Sequence, residues 1–171
     1  MSPALRNSLL ALAAGLVVAF GVWYVLPHSG PPPQALAICD EADLLILAEP
    51  GEGFYGVERK ADRRWAWAGG PATLMLRRLD QSTMPQPLRL RFNLHSLTPR
   101  EVTVRFGDFV LWKGLLSGTA KAKVDIPTFT MTGPTAALML TSDQPGSLIP
   151  SGQDPRPLAF AVYDLEVTPA D

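Results

Sequence analysis

From Pro87 to His95 the side chains alternate. Leu88, Leu90, Phe92 and Leu94 fall on one face, and Arg89, Arg91, Asn93 and His95 on the other. A period of two with one apolar and one polar face is the mark of a strand half-buried in an antiparallel sheet. A helix does not accommodate it, because helical neighbours on one face recur every three or four residues. Glu101 to Phe106 repeats the pattern, with Val102, Val104 and Phe106 on the inner side. Gly107-Asp108 suits a type II′ two-residue turn, after which Phe109 to Trp112 returns as the second arm of a hairpin.

Short runs bounded by Pro, Gly, Asp and Ser predict further strands at 43–48, 55–58, 64–68, 73–79, 122–126, 136–141 and 158–167. With 17 prolines and 14 glycines in 171 residues, a helical bundle is disfavoured. The expected fold is an all-β, antiparallel two-sheet sandwich of jelly-roll type, large enough over 42–171 to bury a core without cross-links.

The N-terminal part is different. No charged residue occurs between Arg6 and Asp40, and the stretch from Leu9 to Leu26 is almost wholly apolar. As a helix at about 1.5 Å per residue it spans roughly the hydrocarbon thickness of a bilayer. Trp23 and Tyr24 fall at its far end, where amphipathic rings favour the lipid–water interface. Pro27 stops the helix, and Gly30-Pro31-Pro32-Pro33 makes a stiff spacer. Arg6 and the α-amino group are the positive charges on the near flank, and the next positive residue beyond the span is Arg59. The positive-inside rule then sets a cytoplasmic N-terminus at 1–7, a single-pass transmembrane helix at 8–27, a Pro-rich linker at 28–41 and an extracytoplasmic, periplasmic sandwich at 42–171. Two alternatives are a signal-peptidase site at Ala35-Leu36-Ala37 and a lipobox-like Leu36-Ala37-Ile38-Cys39. Both keep the sandwich outside the cytoplasm.

Several functions are disfavoured. A formal net charge of −1 gives no sequence-independent grip on nucleic acid. One cysteine and two histidines leave too few ligands for a zinc site, and nothing specific points to calcium or another cofactor. The Gly114 to Gly118 stretch lacks the G-x-S-x-G spacing of a nucleophile elbow, and no phosphate-binding or dinucleotide fingerprint occurs. No catalytic constellation is legible, so the chain reads as a non-enzyme.

Two features rise above this background. Arg64-Trp65-Ala66-Trp67-Ala68 projects two tryptophans from one face of a strand, either as core filling or as an aromatic platform for a sugar ring. Asp154 and Arg156, in the loop entering the last strand, suit an ordering role through charge-assisted hydrogen bonds. A two-residue hairpin turn would also set Phe106 opposite Phe109, Val104 opposite Leu111 and Thr103 opposite Trp112. Trp112 would then stand on the outer face, with Arg105 diagonal to it and within cation–π reach. If Pro87 to His95 is the neighbouring strand, Arg89, Arg91, Asn93, His95, Arg105 and Trp112 share one donor-rich face. That set is the candidate ligand site. Its alternative is a solvated face with Trp112 covered by 115–121.

Glu58, Trp65, Trp67, Ala72, Leu74 and Leu76, then Val102 to Leu111, then Pro150, Asp154, Arg156 and Leu158 form a pattern. On these residues the chain resembles the carbohydrate-binding-like β-sandwich (jelly-roll) modules that accompany bacterial cell-envelope glycosyltransferases and other membrane proteins. The resemblance covers about 110 residues, 55–167, and departs at Ala159, where such modules usually carry Gly. It implies an accessory module without a catalytic domain and identifies no ligand. Two functions follow as expectations: binding of envelope glycan or lipid-linked sugar, or docking as a structural subunit of a larger membrane protein complex through helix and sandwich. The small-residue ridge Ala11, Gly15, Ala19 suits helix packing in the second.

Overall fold

The computed structural model describes residues 35–41, 44–118, 120–149 and 154–170. The expected transmembrane segment lies outside them, as does the linker up to residue 34. Among the described residues there is no helix; eleven strands form two antiparallel sheets. They are β1 (Ala37–Glu41), β2 (Leu44–Pro50), β3 (Phe54–Lys60), β4 (Arg63–Ala68), β5 (Ala72–Arg78), β6 (Gln86–His95), β7 (Arg100–Phe106), β8 (Phe109–Leu116), β9 (Ala122–Met131), β10 (Thr135–Ser142) and β11 (Phe160–Pro169). The six-stranded sheet runs β1-β2-β5-β10-β7-β8, and the five-stranded sheet runs β3-β4-β11-β6-β9. Only β1–β2, β3–β4 and β7–β8 are sequential neighbours. Every other connection crosses from one sheet to the other, which builds a sandwich rather than a meander.

Each of the ten expected strands has a counterpart, and β1 is an addition. Ala37–Glu41 falls in the stretch expected to be linker, yet it pairs with β2 residue for residue from Ala37 opposite Ala48 to Glu41 opposite Leu44. The reason is in its own alternation: Ala37 and Cys39 point into the core while Ile38 points out. Five residues beside a proline run are too short for that pattern to stand out. The boundary of the sandwich therefore lies before Ala37, not at residue 42, and the Cys39 thiol sits inside the fold.

The inner faces meet in one core. Leu74, Leu76, Leu88, Leu90, Leu94, Val102, Val104, Leu138, Leu140 and Val162 are fully buried in it. The period-two reading of β6 and β7 is realised there, with Phe92 at 2% exposure. Phe106 reaches the rim, where its ring meets Phe129 edge-on at 5.5 Å.

Four bulges interrupt the ladders, one of them in β3 between Phe54 and Val57. In β9 one extra residue falls between Ile126 and Phe129, opposite Leu90 and Leu88. Pro127 lies there, tolerated because β9 is an edge strand and the bulge needs no ladder donor. In β8 one extra residue shifts the hairpin between Val110 and Trp112. In β11 one extra residue falls between Tyr163 and Glu166, where Asp164 adopts φ +50°.

Candidate functional site: the outer face of the five-stranded sheet

The β8 bulge undoes the expected register. Phe106 opposes Phe109, but Val104 opposes Trp112 and Thr103 opposes Lys113. Trp112 therefore turns toward the core, where it packs as a partly buried neighbour. Its ring lies over Gly114, at which a Cβ would come within 2.5 Å of the indole. Glycine is what lets the tryptophan fold back along its own strand. Gly107, at φ +56°, makes the left-handed first turn position that type II′ requires.

The sheet partition undoes the rest of that grouping. Arg105 and Trp112 belong to the six-stranded sheet, while Arg89, Arg91, Asn93 and His95 belong to the five-stranded one. Sequential strands β6 and β7 lie in different layers, so the six residues do not form one site. The four from β6 do share a face, and what stands beside them comes from β4, β9 and β11.

One cross-strand ladder runs the width of that face. Glu58 opposes Trp65, Trp65 opposes Tyr163, Tyr163 opposes Asn93 and Asn93 opposes Lys123. The next row toward the loops is Trp67, Ala161 and His95, and the next row the other way is Glu166, Arg91 and Asp125. The two tryptophans thus fill a second, smaller cluster outside the main core, with Leu158 and Ala161 buried in it. The tryptophans fill a core of their own on this side of the sheet, because Ala66 and Ala68 take the positions of β4 that face the opposite sheet.

Within the ladder every aromatic is held. Trp65 and Tyr163 stack at 5.6 Å and 15°, and the Trp65 indole N–H donates to Glu58 at 2.9 Å. The Lys121 ammonium lies 3.9 Å from the Tyr163 ring centre. His95 meets Trp67 and Tyr163 edge-on at 6.0 and 6.3 Å. It is thus packed among rings rather than solvated, and burial, with Lys121 adding to it, pulls its pKa below the usual histidine value. Burial likewise pushes the Tyr163 phenol up.

Glu58 ties this ladder to the closing loop. Its second oxygen accepts from Arg156 at 2.8 Å, while Arg156 Nε donates to Asp154 at 2.9 Å and the Arg156 backbone N–H to the same carboxylate at 3.0 Å. The guanidinium beside Asp154 holds its carboxyl at about 2. The sequence pairing of Asp154 with Arg156 thus gains a third member, 98 residues distant from Arg156 in sequence.

The polar half of the face is built by the β11 bulge. The extra residue lets Asp164 join Tyr163 and Glu166 on the outer side while Leu165 remains buried. A shallow cavity of about 230 Å³ opens there, lined by Arg91, Phe92, Asn93, Lys123, Asp164 and Glu166. Asn93 Nδ2 donates to Asp164 at 3.2 Å, and Lys121 lies 3.5 Å from the same carboxylate. Arg89 grips Asp125 with two bonds of 3.1 and 2.7 Å, and the Arg89 guanidinium holds that carboxyl below its usual pKa. Arg91 is held more loosely, 3.9 Å from Asp125 and 3.8 Å from Glu166, beyond hydrogen-bond length. No group of three or more metal-ligating side chains occurs among the described residues.

Lys123, Asp164 and Glu166 are site residues that sequence reasoning missed. Asp125 and Lys123 alternate on β9 as polar residues of an outer face, which was a usable signal. The bulge that turns Asp164 outward left no local signature.

No protein-family model matches this sequence, and no curated protein does either. Solved structures similar in fold include the C-terminal CBM6 of LamC, a marine laminarinase from Zobellia galactanivorans. It is 10% identical, with a TM-score of 0.40 over 72% of this chain and 98% of that one. A carbohydrate-binding module from Cellvibrio mixtus lichenase 5A, in complex with cellotriose, is 8% identical, with a TM-score of 0.40 over 80% and 99%. A Bacillus thuringiensis Cry1Da tryptic core variant is 13% identical, with a TM-score of 0.41 over 73% of this chain and 23% of its own. Similarity at this level assigns no activity.

Proposed function

We propose that this protein is a non-catalytic, membrane-anchored β-sandwich module that binds a glycan ring of the cell envelope, free or lipid-linked, on the outer face of its five-stranded sheet. The observation that carries the reading is the cavity at the β11 bulge. It brings donors (Arg91, Asn93, Lys123) and acceptors (Asp164, Glu166) around one hollow, beside the Tyr163–Trp65 stack. A sugar presents hydroxyls that both donate and accept, together with an apolar ring face, and this mixture suits it. The volume is below the roughly 300 Å³ at which pockets for extended small molecules begin, so the hollow suits a single ring. The anchor is the apolar stretch from Leu9 to Leu26, with the sandwich outside the cytoplasm.

The full chain in mild detergent, applied to an array of envelope glycans, tests this. The Arg91→Ala, Asn93→Ala double variant loses the signal, and Arg105→Ala on the other sheet keeps it. Absence of any bound glycan, or retention by the double variant, overturns the reading. Protease added to intact spheroplasts degrades the sandwich; its protection overturns the orientation.

A further inference from the structure

The two outer faces of this sandwich differ in chemistry. The five-stranded face is ionic, as described above. On the six-stranded sheet the outward residues follow from the register: Ile38 opposes Leu47, Leu47 opposes Arg77, Met75 opposes Ala137, and Met139 opposes Arg105, which in turn opposes Val110. Apolar residues therefore run diagonally from β1 to β10 and reappear on β8, interrupted on β7 by Arg105. Ile38 is 56% exposed, Met139 51% and Val110 49%, with Phe109 at 75% at the hairpin tip. Thr73, Thr103, Thr135 and Thr141 fill much of the remainder. The charges on this face largely cancel, because Arg77 pairs with Glu49 at 3.1 Å and Lys113 with Glu101 at 2.8 Å. Arg105 makes no ion pair among the described residues.

We infer that this face rests on the lipid surface to which the chain is anchored. The inference rests on the membrane anchor proposed above. The chain outside the described fold limits what can cover the face. The apolar stretch ends at Leu26 and the fold begins at Ala35, so eight residues, four of them proline, separate them. Whatever their conformation, eight residues reach at most about 29 Å. That is shorter than a single ten-residue strand of the sandwich, about 33 Å. The tether enters at β1, an edge strand of the six-stranded sheet, where the Leu36 N–H is already bonded to the Ala48 carbonyl at 2.7 Å. With the proposed anchor in place, that reach limits how far the β1 edge can stand from the bilayer. Apolar side chains among balanced charges suit the boundary of a bilayer. The ionic face then stays open to ligand.

The test uses the full chain reconstituted in vesicles containing anionic lipid. Single fluorophores sensitive to polarity are placed through Met139→Cys and, on the opposite face, Lys123→Cys. Thermal melts confirm that both variants fold. Carbonate extraction of the same vesicles reports the anchor separately, so failure of the anchor is distinguished from failure of docking. The expected result is a blue-shifted label at 139, quenched by brominated lipid, and a water-like label at 123. Water-like labels at both positions in carbonate-resistant protein overturn docking. A shift at 139 that lipid does not quench, or that grows with protein density, also overturns it, in favour of a partner protein or a second copy.

Discussion

Trp65 and Tyr163 stack across neighbouring strands, 5.6 Å apart and 15° from parallel, and the Lys121 ammonium lies 3.9 Å from the centre of the tyrosine ring. Protein groups thus already occupy the ring surface of the phenol. The aromatic row acts as a wall for the neighbouring hollow rather than as an open stacking platform. It also fixes β4 to β11 from outside the main core.

Trp65→Ala removes both the stack and the indole bond to Glu58. An aromatic pair contributes about 0.5–1.5 kcal/mol beyond its burial, and a hydrogen bond to a charged group about 1.5–3 kcal/mol. Urea unfolding should show a loss of about 2–3 kcal/mol, with Trp65→Phe recovering part of it. No change in midpoint would mean that the row bears no load.

Phe92 lies in the inter-sheet core at 2% exposure, in the middle of β6. Phe92→Ala should cost about 3–5 kcal/mol, as buried aromatics do when a cavity is left. A cost below about 1 kcal/mol would contradict the assignment of the two faces of β6.

His95 gives a pH dependence. Its native pKa lies below the ordinary 6.5, chiefly through burial. The unfolded chain therefore takes up the proton more readily than the fold does. The stability that the neutral ring provides is complete above pH 6.5 and is lost as pH falls through the depressed native value. Melting temperatures of wild type should drop between pH 7.5 and pH 5, and His95→Phe should drop less. Parallel profiles would remove His95 as the cause.

Asp154 acts at lower pH. Its carboxyl is held near 2 by the Arg156 side chain first and by the Arg156 backbone N–H second. The stabilisation is present above about 4, the ordinary range, and disappears as pH falls toward 2. Asp154→Ala should lower the melting temperature at pH 7 and flatten this acid limb, while glycan binding at saturating ligand persists. Loss of binding with stability unchanged would move Asp154 and Arg156 into the ligand site.

The strands were legible because antiparallel sheets write their two faces into the chain as alternation. Leu88, Leu90, Phe92 and Leu94 identified both β6 and its buried side without reference to any other element. At Trp65 and Trp67 the same alternation marks a shared, packed face but not which of two clusters it fills. Which side of a strand is inner depends on the opposite sheet, and here two alanines, Ala66 and Ala68, meet it.

Strand identity, the inner faces of β6 and β7, turn chemistry at Gly107-Asp108 and the apolar N-terminal stretch were decided by sequence alone, since each depends on residues within one short window. The composition of the candidate site was decided only in three dimensions. Consecutive strands β6 and β7 pass to opposite layers, which separates Arg105 and Trp112 from Arg91 and Asn93. Single-residue bulges in β8 and β11 then turn Trp112 inward and Asp164 outward. A shift of one residue exchanges the faces of a strand, and its position is set by the pairing partner rather than by the strand's own residues.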